Sequence, residues 1–196
     1  MREVFQKELA EVQGRLVEIA ESVTHIIKDA TEAFTTSNAL LAERAIGMAE
    51  SNESKALALD ELVIRILSRQ SPVARDLRIL VSALRISASL ERMGALAGHI
   101  AAIARYRFPG SAIPASLVGT FEEMGRLDVE LASKVTELLR NTNVDQAREI
   151  QAQDERIDEL HRHVFDVVLA DDWKENAMFT VDVTLASRYH ERFADH

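Results

Sequence analysis

The sequence predicts an all-α protein, six long helices arranged as two tandem three-helix bundles. Three observations carry that expectation. Ala, Leu, Glu and Arg, all good helix formers, dominate the 196 residues, against 7 Gly, 3 Pro and 5% aromatics. Apolar residues recur at alternating spacings of four and three over stretches much longer than one turn. The stretch "LERMG", from Leu90, returns roughly a hundred residues later as "HERFAD", from His190, so the chain reads as an internal duplication. Each trio of helices can bury its apolar stripes only against other helices, which makes an elongated bundle the expected shape.

The first 36 residues carry Phe5, Leu9, Val12, Leu16, Ile19, Val23, Ile26 and Ala30, one continuous stripe down a long helix. Ser37 or Asn38 is expected to cap the second helix, whose pattern runs to about Gln70. In "RQSPVARDLR", Ser71 makes an N-cap, Pro72 suits the first helical position, and Asp76 lies near the positive end of the third helix. Ile79, Ala83, Ile86, Leu90, Met93, Ala97 and Ile100 continue that helix at the same spacing. The stretch 106–116 brings two prolines and a glycine close together and marks the boundary between halves. The expected division is a bundle over 1–107, a linker over 108–114 and a second bundle over 115–196. Within the second, helices are expected over 115–141 and 144–170, with a turn at 141–143 and a last helix from near Trp173. That helix stops at His196, whereas its counterpart runs on well past His99, so it reads as truncated.

Composition narrows the function. A net charge of −9, with no basic run, argues against nucleic acid, which needs clustered Lys and Arg. The chain has no cysteine, so disulfides, thiolate sites and iron–sulfur ligands are out, as suits a reducing cytosol. The N-terminus is charged from residue 2, and no uncharged apolar run approaches the ~20 residues that span a bilayer. A cytoplasmic protein is expected, touching a membrane only through partners. No nucleophile–base pair, glycine-rich phosphate loop or basic anion pocket stands out, so an enzyme is not expected.

The chemistry-bearing residues are acids. Asp154 and Asp158, four apart, share one side of a helix, and Glu191 and Asp195 form a second such pair. With the hairpin turn near residue 174, Asp158 lies about 16 residues before it and Glu191 about 17 after it; Asp154 and Asp195 are about 20 and 21 away. An antiparallel hairpin therefore brings both pairs to one level. If they face each other, up to four carboxylates converge, a cluster that repels itself unless it takes up protons or a cation. Oxygen ligands suit Mg, Mn, Ca or Fe, with Zn also open. His161, three after Asp158, gives the carboxylate–His spacing of di-iron bundles. Against this stands chance: helices rich in Asp and Glu produce such pairs on solvated faces. The same count in the first half, from a turn near residue 71, gives Glu53 and Ala49, or Glu50, as candidates on the second helix; pairing Glu53 with Glu91 and Ala49 with Ala95 reads as a degraded site with two acids for four.

These residues carry a resemblance. "RQSPVARDLR", then "LERMG" and "HIA", and later "ERFADH", resemble the PhoU family of phosphate-signalling regulators. The family pattern runs close to Q-P-V-A-x-D-L-R, then L-E-R-I-G-D. Gln70, Pro72, Val73, Ala74, Asp76, Leu77 and Arg78 match it, as do Leu90, Glu91, Arg92 and Gly94. Ala95 in place of the acid is similar to the actinobacterial branch. The resemblance covers both halves. It implies two tandem three-helix bundles with paired acidic motifs that hold metal, here Asp154, Asp158, Glu191 and Asp195, with Glu53 and Glu91 left in the first half. It further implies a non-enzymatic negative regulator of the phosphate-starvation response, a homodimer, linking the ATPase of a phosphate ABC transporter to a sensor histidine kinase. Two other readings stand beside it: a ferritin-like di-metal oxidase, which would need ligands on four helices, and a metal-free helical scaffold.

Overall fold

A computed structural model describes the backbone of residues 2–70, 72–141 and 146–196, and the side chains of these apart from 2 and 146–153. Six helices form: α1 (Arg2–Thr36), α2 (Ala39–Gln70), α3 (Ala74–Arg107), α4 (Val118–Asn141), α5 (Gln146–Val168) and α6 (Ala177–Asp195), with a 3-10 turn at Ala115–Leu117 leading into α4. Each follows a stripe that the sequence shows, and the connections follow from local chemistry. Ser37 stops α1 by taking a left-handed φ of 56°, and the Asn38 N–H donates to the Ala33 carbonyl at 3.1 Å, a Schellman closure. Asn38 then caps α2, its Oδ1 accepting from the backbone N–H groups of Leu40 and Leu41 at 3.1 and 3.2 Å.

Two expected starts are corrected. Pro72 is not the first helical residue of α3: the cap position is Val73, extended at φ −125° and ψ 159° with no side-chain cap, and the helix opens at Ala74. Ser71, expected as the cap, lies outside the described residues. The last helix does not begin at Trp173 but four residues later. Asn176 is the better cap, its Oδ1 accepting from Phe179 N at 3.0 Å. Trp173 stays in the turn and donates its Nε1–H to Thr180 Oγ1 at 2.9 Å. The expected turn at 141–143 falls partly outside the described residues; Asn141 is the last residue of α4.

Helix α1 is the spine. Its stripe, from Val12 through Ile19, Val23 and Ile26 to Phe34, is buried, and it packs on α2 and α3 of its own half and on α4 of the other. Gly125 makes the crossing of α4 over α1 possible: a Cβ at that position would lie 2.3 Å from Thr31 Cγ2. Close by, the Phe34 and Phe121 rings sit 5.0 Å apart. The second seam joins α3 to α6, which run antiparallel. His99 packs on Tyr189 at 5.2 Å, and Arg107 grips Asp182 with two hydrogen bonds of 2.5 and 3.0 Å. Asp182 is buried, so this guanidinium is what offsets the cost of its charge. Among the described residues, no helix is long and apolar enough to cross a membrane.

A buried hydrogen-bonded pair closes the second bundle. Asp128 of α4 and His190 of α6 are both 0% exposed, with Asp128 Oδ2 2.6 Å from His190 Nδ1. Burial pushes the Asp128 carboxyl from its usual 3.8 up to about 6, and the hydrogen bond and charge of His190 only partly offset that push.

Two outcomes follow. Gly125→Ala forces α4 away from Thr31 and costs about 1–3 kcal/mol, the usual overpacking penalty, read from urea unfolding. For Asp128 the folded state binds its proton up to pH about 6 and the unfolded chain only to about 3.8, so stability falls as pH rises through that window. Asp128→Asn removes this titration while keeping an acceptor for the imidazole. The stability difference should move toward the variant by as much as about 3 kcal/mol across the window, at 1.36 kcal/mol per pKa unit. Parallel pH curves for the two proteins would contradict it.

Candidate functional site

The α5–α6 hairpin does bring the two acidic pairs into one electrostatic neighbourhood. Burial raises the Asp154 carboxyl first, and the charges of Asp158, across one turn, and Asp195, from the other helix, raise it further. Glu191 is likewise raised by burial, and then by Asp195 and by Asp158 across the hairpin, against the opposing pull of Arg188. Acids on α5 are thus felt on α6 and the reverse. Asp154, Asp158 and Glu191 are half-buried and Asp195 is exposed.

Two oxygens in this group are orphaned. Asp154 Oδ1 and Glu191 Oε2 are buried and have no hydrogen-bond partner among the described residues. A buried carboxylate oxygen without a donor is costly, and a cation beside it removes the cost. The donor set therefore fits a hard metal ion. Among the described residues, however, no three His, Asp or Glu side chains already form a group that could hold one. The other Glu191 oxygen is engaged by Arg188, which meets part of the demand for positive charge from within α6.

His161 stands where its spacing put it, on the face of α5 that meets α6, but its Nδ1 is committed: it lies 3.0 Å from Ser187 Oγ. The ring packs edge-on against Phe165 at 5.0 Å, and burial, then the Arg188 charge, lowers its pKa. His190 and Ser187 position the acids from the neighbouring turns of α6. With His190 drawn inward to Asp128 on α4, Glu191, one residue on, turns toward α5. Sequence reading passed over this pair and the Arg107–Asp182 pair. A signal was there, because Asp128 occupies a core position in the run Phe121, Met124, Asp128, Leu131.

The first half places its acids in a cleft of its own. Glu53 and Glu91 line one cleft of about 390 Å³ between α2 and α3, with Glu50 added, and Ala49 and Ala95 line it too. Its acids differ from those of the second half in setting. All three are exposed, and none has an orphaned buried oxygen. At this level α2 and α3 lie very close, since a Cβ on Gly98 would come within 2.9 Å of Ala49 Cβ.

Comparison with known proteins agrees with the architecture and the duplication. The family model described as "PhoU domain" matches twice, over residues 16–104 and 121–196. A "Phosphate-specific transport system accessory protein PhoU homolog 2" of Mycobacterium tuberculosis is 40% identical over 196 residues, all of this chain and 92% of its own length. The corresponding "homolog 1" of Mycobacterium leprae is 38% identical over all of this chain and 88% of its own length. These names are those of transport accessory proteins, not of enzymes. Among solved structures, PhoU from Pseudomonas aeruginosa superposes with a TM-score of 0.87 at 22% identity, covering 98% of this chain and 92% of that one. With the model matching both halves and relatives similar from end to end, the chain belongs to the PhoU family.

Proposed function

We propose that the protein is a non-enzymatic accessory regulator of phosphate-specific transport, an adaptor that keeps the phosphate-starvation response off while phosphate is plentiful. The observation that carries this reading is similarity along the whole chain, at 40% identity, to a protein named for that accessory role. Its partners, by family likeness, are the ATPase of a phosphate ABC transporter and a sensor histidine kinase. The long helical surfaces suit an adaptor.

Within that role Asp154, Asp158, Glu191 and Asp195 would hold a di- or trivalent ion of Mg, Mn, Ca, Fe or Zn. The orphaned oxygens of Asp154 and Glu191 support this. The ion would supply the positive charge that the cluster lacks and tie α5 to α6. The exposed Glu53 and Glu91 of the first half form the weaker site. Arg188 would have to yield Glu191, or share it, as the ion enters.

Deleting the gene should leave phosphate-starvation genes expressed in phosphate-rich medium, measured as transcript level; normal repression would remove the adaptor reading. The metal reading is checked separately on purified protein. Asp158→Ala and Glu191→Ala should each lower bound metal at least about tenfold, while Glu91→Ala changes it little, by elemental analysis after dialysis. Affinity should rise with pH, because Asp154 and Glu191 hold their protons above the usual carboxylate range and must release them to bind. Equal metal in all four proteins leaves a metal-free scaffold.

A further inference from the structure

We propose that the protein docks directly on an anionic phospholipid bilayer through the tip of the α2–α3 hairpin, standing with the α5–α6 tip turned away from the lipid. The proposal goes beyond the regulatory reading and does not use the carboxylate site. It replaces the expectation that a membrane is met only through partners. No helix among the described residues can cross a membrane, so the contact is peripheral.

Charge is distributed unevenly along the bundle. Around the α2–α3 turn, residues 64–81 carry Arg65, Arg69, Arg75 and Arg78 against one acid, Asp76. The four arginines are exposed, and none has a side-chain hydrogen bond or ion pair among the described residues. The start of α1 lies at the same end, but its acids are engaged elsewhere: Glu3 pairs with Lys7, Glu8 accepts from Gln70, and Glu11 pairs with Arg15. The α5–α6 turn is the reverse, with Asp166, Asp171, Asp172 and Glu175 exposed against Lys174. Asp182, near that turn, is bound to Arg107 in the last turn of α3, so the 34 residues of α3 separate the two tips by about 50 Å, at 1.5 Å per residue. A chain of net charge −9 is repelled by an anionic surface as a whole, and the arginine tip is the end that such a surface attracts.

The shape of the tip favours lipid over an acidic protein. Val73 stands at the point of the hairpin, 75% exposed, and Ile64 on α2 is 60% exposed, with arginines of both helices behind them. This is a protruding apolar point ringed by cations. It offers no hollow to close around a partner's side chain, but it can enter a headgroup layer. There the apolar side chains leave water while the guanidinium groups, on their long stems, stay level with the phosphates and bind them in bidentate fashion. Leu77 and Ile79, each 40% exposed on the first turns of α3, extend the apolar surface beside Arg75 and Arg78. Neither contribution is large alone; basic side chains and apolar insertion together are what hold a peripheral protein on an anionic bilayer.

The test is flotation of purified protein with vesicles of phosphatidylcholine, alone or mixed with phosphatidylglycerol. Wild-type protein should float with the mixed vesicles at low salt, stay behind with pure phosphatidylcholine, and come off as salt rises. Arg75→Glu/Arg78→Glu should bind the mixed vesicles at least about tenfold more weakly. Its urea unfolding, compared with wild type, shows that it is folded. Orientation is read from fluorescence, which decides the matter even where that variant fails to fold. Trp173, the single tryptophan of the chain, lies at the acidic tip and should keep its emission on vesicles of brominated phosphatidylglycerol. Val73→Trp should add emission that those vesicles quench. A wild type that does not float with the mixed vesicles at low salt overturns the proposal, and if it binds a polyglutamate peptide instead, the tip is a contact for an acidic protein. So does a folded charge-reversed variant that floats as well as wild type, quenching of Trp173, or an unquenched Val73→Trp.

Discussion

The register of α5 against α6 decides what the second half can hold. Slide one helix by a turn along the other and Asp154 and Asp158 no longer share a level with Glu191 and Asp195. Three contacts fix that register. Asn176 caps α6 and so sets where it starts. Ser187 meets His161 across the hairpin, and Asp128 holds His190 from α4. The last of these is a buried hydrogen-bonded pair and a strong constraint on orientation, since a rotated α6 would leave both groups unpaired in the core. In return Glu191 and the acids around it stand in one another's fields at a cost the hairpin packing must bear.

The two halves descend from one pattern, yet they resolve the same crowding in different ways. In the first, Ala49 and Ala95 remove two carboxylates, and small side chains let α2 and α3 close to within van der Waals contact at Gly98. Glu53 and Glu91 then sit out in water, where their charges cost little. The second half keeps the acids, half-buries them, and leaves two oxygens without donors. Close packing and charge are alternatives at this position.

Much of this was legible in the chain because helix periodicity is local. The stripe from Phe5 to Ala30 reads directly as α1, and the counting of residues from each turn placed all four acids at one level. Helix starts were less legible. Ser71 and Pro72 have the right chemistry for a cap, yet the chain uses Val73 in extended form. Trp173 continues an apolar pattern, yet its indole is spent on Thr180 and the helix waits for Asn176. Tertiary pairs were the hardest to see. Asp128 and Asp182 each announce themselves as acids on a core stripe, but their partners, His190 and Arg107, lie 62 and 75 residues away and nothing in the spacing names them. Nor does a sequence show that Arg188 competes for Glu191 from within the same helix.

Helix α6 is held at its start by Arg107 of the first half and along its length by α3, while α5, among the described residues, packs chiefly on α4 and α6 and makes no comparable contact with the first half. Among the described residues α5 thus has fewer ties to the first half than α6, and it carries half of the acidic cluster. Anything that draws α5 onto α6 acts on a part with few other restraints, and the spine of α1 and the α3–α6 seam should barely notice. An ion can shift such an equilibrium only by the difference in its affinity for the two arrangements. The orphaned oxygens of Asp154 and Glu191 lie one on each helix, so a charge that met both would act across the α5–α6 seam.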